Sequence, residues 1–174
     1  MQWSQLKQRI EALFADTVKG RVELHVTRYH KAPDQMGRGW ITFDKLQIIS
    51  MSDLDYEYQY WQEASRLQKV SECLDYRNPD QREGYYQAYD QAENTLHNGS
   101  VFSRGDFTRS LRLYLNTSVE DILKSRYPLI RALGMLDHRV GKRRLASLDV
   151  TTEHPLVQKL YALRCAVEGL STTQ

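Results

Sequence analysis

At 174 residues, with 41% apolar and 26% charged residues, the chain can bury one hydrophobic core. No run approaches the roughly 20 apolar residues that a membrane span needs, and polar residues interrupt the N-terminus from Gln2 onward, unlike a secretory signal. Cys73 and Cys165 form neither a disulfide framework nor a zinc-ligand spacing. We therefore expect a cytoplasmic protein with no membrane partner. Residues 1–174 should form one domain, with residues 1–52 and 53–174 as an alternative internal division.

The first third of the sequence predicts a helix and three strands. Apolar residues recur every three or four positions over residues 3–15, which indicates an amphipathic helix. Alternating apolar residues and turn signals then predict strands. The predicted strands are Arg21–Thr27, Arg38–Phe43 and Gln47–Ser50, joined by a loop over His30–Gly37 and a tight turn at Asp44-Lys45.

After Ser52 the apolar period changes from two to 3.6, which predicts helices. Their predicted starts are Ser52 with Asp55, Asn78-Pro79, Ser103 with Asp106, the capping box Thr117-Ser-Val-Glu120, Leu129, and His154-Pro155. The predicted fold class is α+β. An N-terminal helix packs on a three-stranded antiparallel meander, and a mostly α-helical C-terminal part follows.

The stretch Leu129–Leu148 joins an apolar half to a basic half. Its apolar residues, at steps of four, three and four, form one helical stripe: Leu129, Leu133, Leu136 and Val140. Its cations surround Gly141: Arg139, Lys142, Arg143 and Arg144. Gly141 suits the position just after a helix end, where cations stabilise the exposed carbonyls. The alternative is that these cations bind an anionic partner.

Charge is divided unevenly along the chain. Residues 55–100 hold four Lys/Arg against nine Asp/Glu, whereas residues 101–148 hold ten against four. Either the basic segment binds an anionic partner, or it folds against the acidic segment. Both interpretations remain open at this stage.

Basic residues mixed with aromatic ones form the candidate site for nucleic acid or another anionic partner. The first cluster brackets the predicted hairpin loop and contains Arg28, Lys31, Arg38 and Trp40; the second contains Arg139, Lys142, Arg143 and Arg144. If the two converge, arginines would contact phosphates while Trp40 would stack on a base. The pI near 8.5 lies below the value above 9 that is typical of dedicated nucleic-acid domains.

The acidic segment offers an alternative function. It contains seven of the eleven tyrosines. Tyr60, Tyr85 and Tyr89 fit buried stripes, whereas Tyr56, Tyr58 and Tyr86 are not assigned to a face. Because tyrosine is enriched at interfaces, an acidic, Tyr-rich helix pair could mediate protein binding or homo-oligomerisation.

We predict no catalytic residue, metal site or cofactor. Gly37-Arg-Gly39 lacks the remaining spacing of a phosphate loop. His25 and His30 are five residues apart, which points them to opposite faces of a strand. His138 follows Asp137 directly, and adjacent helical residues do not face each other. The acids at the start of the second predicted helix fit its cap and dipole better than a cation: Asp53, Asp55 and Glu57.

Several short motifs resemble a family of small, uncharacterised bacterial cytoplasmic proteins. They are Trp3-Ser4, Lys19-Gly-Arg-Val22, Gly37-Arg38, Trp40-Ile-Thr42, Arg139-Val-Gly-Lys-Arg-Arg-Leu145 and Tyr161-x-Leu163-Arg164-Cys165. The resemblance implies a bacterial, cytoplasmic origin and carries no functional residue across.

The leading hypothesis is a non-enzymatic binding or regulatory protein that contacts nucleic acid through its basic surface. A protein-interaction or homo-oligomerising module is the alternative, and an enzyme of unrecognised class is the third.

Overall fold

The computed structural model describes residues 2–31 and 35–170. Three strands follow a first helix, and seven further helices complete the described chain. In order, the elements are α1 (Trp3–Ala12), β1 (Val22–Arg28), β2 (Gly37–Phe43), β3 (Leu46–Ser52), α2 (Asp53–Val70), α3 (Pro79–Asn98), α4 (Arg104–Leu115), α5 (Val119–Lys124), α6 (Pro128–Leu136), α7 (Lys142–Ala146) and α8 (Pro155–Glu168). The predicted α+β class is confirmed. The predicted hairpin loop includes residues 32–34, which lie outside the described residues.

The sheet is an antiparallel meander in the order β1-β2-β3, as predicted. Asp44 and Lys45 both have positive φ, at 47° and 68°, and form the two-residue turn between β2 and β3. This backbone geometry matches the twist of antiparallel strands. On the inner face, the Phe107 ring of α4 packs against Gly39, where an added Cβ would come within 2.5 Å of the ring. Gly39 therefore lets α4 approach the sheet closely.

Most of the predicted helix starts are confirmed. Ser52 accepts a hydrogen bond from the Asp55 N–H, Asn78 accepts one from the Asp80 N–H, and Ser103 forms a complete capping box with Asp106. The cap predicted at Thr117 is wrong by one residue. Ser118 caps α5, because the Thr117 hydroxyl instead donates to the Leu113 carbonyl of α4 at 2.7 Å.

The central stretch is not one helix, contrary to the prediction. Helix α6 ends at Leu136 because Asp137 adopts an extended conformation, with ψ of 132°. Asp137 forms an isolated antiparallel bridge with Phe14, and the His138 N–H donates to the Leu13 carbonyl at 2.8 Å. Gly141 accordingly begins α7 as its N-cap and does not end α6. The predicted stripe is nevertheless buried along its whole length: Leu129, Leu133, Leu136 and Val140.

One hydrophobic core joins α1, the inner face of the sheet and helices α4–α8. Helices α2 and α3 pack antiparallel on each other and contribute no residue to this core cluster. The apolar residues that they bury are three alanines and one leucine: Ala64, Ala88, Ala92 and Leu96. We call this two-helix unit, residues 53–98, the α2–α3 hairpin.

Leu133 should be among the residues on which the core depends most. It is 1% exposed, so the substitution Leu133→Ala removes buried methyl groups and leaves a cavity. We expect a loss of about 2–5 kcal/mol in the free energy of unfolding, measured by urea titration. Val70→Ala is the matched control, because Val70 is 71% exposed, and should change stability by less than about 0.5 kcal/mol. Equal effects of the two changes would contradict the assignment of the core.

Candidate functional site

Arg139 binds a buried carboxylate. The Asp137 side chain is fully buried and accepts hydrogen bonds from the Tyr114 hydroxyl at 2.5 Å, the Arg139 guanidinium at 2.7 Å and the Arg139 N–H at 2.8 Å. Burial opposes ionisation of Asp137, but the hydrogen bonds from Arg139 and Tyr114 outweigh it and lower the pKa of the carboxyl group. Arg139 therefore neutralises an internal charge.

Lys142 and Arg144 also pair with carboxylates of the same chain. The Lys142 Nζ lies 2.8 Å from Glu168 Oε2 in α8, and the Arg144 Nη1 lies 3.0 Å from Glu120 Oε1 in α5. Arg143 is exposed, and none of the ion pairs among residues 2–31 and 35–170 includes it. These acids lie outside the acidic segment 55–100. The acidic segment that the sequence suggested as a partner is therefore not what neutralises Lys142 and Arg144.

The first cluster lies at the sheet. The Trp40 ring stacks on His25, with centroids 4.9 Å apart and planes 8° apart, and the Arg38 guanidinium carbon lies 5.5 Å from the Trp40 ring centroid. Burial is the main reason that the pKa of His25 is lowered, so the stack is built on a neutral imidazole near pH 7. Arg28 and Lys31 are exposed near the end of β1.

Arg28 and Lys31 lie at the far end of β1 from the point where Asp137 is anchored, whereas Trp40 pairs with His25 near the middle of the strand. Asp137 forms a backbone bridge with Phe14, just after α1. The preceding residue is held at the same place, because the Ala15 N–H donates to the Leu136 carbonyl. Arg28 is the last of the seven residues of β1, six positions and roughly 20 Å of strand from its first residue. Arg28 and Lys31 are therefore separated from the second cluster along the length of β1.

The α2–α3 hairpin has an inner aromatic layer. Tyr60 and Tyr89 have ring centroids 6.0 Å apart, and the Tyr85 and Tyr89 hydroxyls are 3.0 Å apart. All three rings are half-buried, which is less burial than the sequence predicted for their stripe positions. Burial is the largest cause of the raised pKa of Tyr60. This layer stiffens the hairpin from within.

A second stripe on the same hairpin is largely exposed, and the Trp61 ring in it also packs edge-on against Tyr60 and Tyr89, with centroids 5.5 and 5.7 Å apart. Leu54, Tyr58 and Trp61 follow the spacing i, i+4, i+7 and are 64%, 65% and 55% exposed. We call these three residues the outer stripe. Residues 53–98, which carry it, hold ten Asp/Glu against four Lys/Arg. From the sequence, Tyr58 is not assigned to a face and Leu54 and Trp61 are not singled out, although a second apolar stripe on the same helix is a signal that could identify them.

The hairpin is tied to the sheet through Asp53. Its carboxylate accepts hydrogen bonds from the Gly37 N–H at 2.9 Å, the Arg104 N–H at 2.8 Å and the Arg104 Nε at 2.8 Å. Asp53 thus joins the first residues of β2, α2 and α4. The outer stripe begins one residue later, so its base is fixed relative to the core.

The Arg139–Asp137 pair should be essential for stability. The substitution Arg139→Ala leaves the Asp137 carboxylate buried without its charged donor, and we expect a loss of about 3–5 kcal/mol in the free energy of unfolding. Arg143→Ala removes an equal charge from the exposed neighbour and should stay within about 0.5 kcal/mol. Urea titration of both variants measures this. A comparable small effect for both would show that Arg139 is a surface residue.

Stability should also fall in acid because of Glu168. Burial opposes its ionisation, yet hydrogen bonds from Lys142, Thr17 and Arg164 lower its pKa to about 2, against about 4.3 in an unfolded chain. A lowered folded-state pKa gives stability that is complete above the unfolded value and is lost as the pH falls toward the folded one. Unfolding free energies between about pH 5 and pH 2 should therefore fall less steeply in Glu168→Gln than in the wild type. Parallel profiles would contradict this.

Among the described residues, no helix combines the length and apolar character that crossing a membrane requires. Comparison with curated proteins and with solved structures gives no match for the chain. Comparison with family models gives a match over residues 2–165, which includes the sheet, the α2–α3 hairpin and both basic clusters. The chain therefore belongs to the SF0329 protein family.

Proposed function

We propose that this protein is a non-enzymatic binding protein that docks a partner protein on the outer stripe of the α2–α3 hairpin. The observation that carries the proposal is the exposure of three large apolar side chains, Leu54, Tyr58 and Trp61, along one helix face. Contiguous exposed apolar side chains mark interaction surfaces more often than isolated ones do. Aromatic residues at helical spacing are typical anchors for a groove on another protein.

The overall charge of the hairpin indicates the chemistry of the partner. The hairpin is strongly acidic, so a partner with an apolar groove rimmed by Lys and Arg would be complementary. The fixed base at Asp53 supports the same function, because a pre-positioned helix loses less conformational entropy on binding.

We place this function in the bacterial cytoplasm. The motif resemblance supports the bacterial origin. Cys73 and Cys165 are both free thiols, which suits a reducing compartment.

The docking surface can be tested with a synthetic basic amphipathic helix of Leu and Lys. We expect calorimetric binding to the wild type that weakens with added salt, and at least a tenfold loss of affinity in a Tyr58→Ala/Trp61→Ala variant. Tyr86→Ala is the control, because Tyr86 is also an exposed tyrosine, at 53% against 65% for Tyr58, and lies on the other helix. A matching Leu/Glu peptide should not bind.

The proposal fails if the wild type does not bind the Leu/Lys helix, or if the Tyr86→Ala variant loses as much affinity as the double variant. Size-exclusion chromatography with mass detection tests whether a second copy of this chain occupies the stripe instead. A wild-type dimer that the double variant dissociates would mean that a second copy covers the stripe.

Nucleic-acid binding through the sheet is the second candidate function. The stack of His25, Trp40 and Arg38 on one sheet face favours it, since aromatic rings beside cations bind single strands. Titration with a mixed-sequence single-stranded oligonucleotide at rising salt separates it from the first: Trp40→Ala should abolish this binding and leave peptide binding intact.

A further inference from the structure

A cavity of about 450 Å³ lies between α3, α4 and the segment that leads into α6. Its lining brings together three potential metal ligands, Glu93, His97 and Asp106, and two arginines, Arg109 and Arg126. Cavities of this size with a few convergent polar groups are typical of small-ligand sites.

The three ligand side chains are arranged for a metal ion. Glu93 and His97 are four residues apart on α3, so they share one helix face. Asp106 enters from the first turn of α4. One ligand atom from each residue lies within 4.8 Å of the other two.

The distance between His97 and Asp106 suits a shared ion better than a direct hydrogen bond. His97 Nε2 lies 3.4 Å from Asp106 Oδ2, beyond the usual range of about 2.7–3.2 Å for an N–H···O hydrogen bond. With metal–ligand bonds of about 2.0–2.1 Å, two ligands of a tetrahedral ion stand roughly 3.4 Å apart.

Neighbouring groups hold two of the ligands in place. The Ser103 N–H and hydroxyl lie 3.0 and 2.7 Å from Asp106 Oδ2, and Phe102 stacks on the His97 ring at 5.0 Å. His154 accepts the Leu156 N–H at Nδ1 and donates from Nε2 to the His97 carbonyl at 2.7 Å. Such outer contacts orient metal ligands in known sites.

We propose that Glu93, His97 and Asp106 bind a divalent transition-metal ion, with Zn²⁺ as the best match. One imidazole nitrogen with two carboxylate oxygens suits zinc, whereas calcium and magnesium prefer oxygen ligands alone. Three protein ligands leave a fourth position of a tetrahedral ion to water or an anion. Arg109 and Arg126 line the same cavity and would favour an anion there.

Zn²⁺ itself is the probe, titrated into metal-free protein against a chromophoric chelator. A Cys73→Ser background removes the half-buried thiol from competition. We expect one equivalent to bind, with affinity reduced at least tenfold in Glu93→Gln and in His97→Gln. His30→Gln, which removes an exposed imidazole elsewhere, is the control and should bind as the parent does.

Thermal melting gives an independent readout. Zn²⁺ should raise the Tm of the parent and of His30→Gln, because a ligand that binds the folded state stabilises it. It should not raise the Tm of Glu93→Gln. Glu93 is the exposed member of the three ligands, so Glu93→Gln should fold normally. This variant therefore tests the metal site even if His97→Gln fails to fold. Weak binding above about 100 µM, or equal affinity in Glu93→Gln and the parent, would overturn the site.

Discussion

Asp137 holds a charge in the centre of the molecule, and much of the surrounding chain is arranged to keep it there. An ionised carboxylate in an apolar interior is costly unless charged and neutral donors surround it. Tyr114 and Arg139 donate to its oxygens, and the Arg164 Nη1 lies 3.4 Å from its carbonyl oxygen. Through these contacts, one residue joins α4, the α6–α7 connection and α8, while its backbone bridges to Phe14.

Asp137 also explains why the sequence wrongly predicted one continuous helix in the central stretch. Leu129, Leu133, Leu136 and Val140 keep helical spacing, and nothing local in Asp137 forbids a helix. The helix stops because the backbone of residues 13–15 supplies hydrogen-bond partners more than 120 positions away in sequence. By contrast, Ser52, Asn78 and Ser103 cap their helices within three residues, and such local signals were predictable.

In the candidate sites, too, features set by neighbouring residues were predictable, whereas those set by residues distant in sequence were not. The cations around Gly141 were found as a cluster, but Glu168 and Glu120, which pair with two of them, are separated from them by more than 20 residues. Asp106 was assigned to a cap, which it forms, and this role concealed its closeness to His97. One oxygen of Asp106, Oδ2, both accepts the hydrogen bonds from Ser103 and lies 3.4 Å from His97 Nε2, so the cap and the cavity share it. The spacing of Glu93 and His97 was a usable signal, but the third group came from another helix.

The separation of the α2–α3 hairpin from the core has a consequence for dynamics. Its helices bury alanines against each other, and none of these belongs to the core cluster of α1, the sheet and α4–α8. Such a unit can open by itself at a free energy below that of global unfolding. Backbone amides of the hairpin would then exchange with deuterium sooner than those of β2 or α6. A partner bound at Tyr58 and Trp61 would slow amide exchange along both helices, because the two helices open together. Hydrogen exchange over the whole hairpin would therefore measure binding at the stripe.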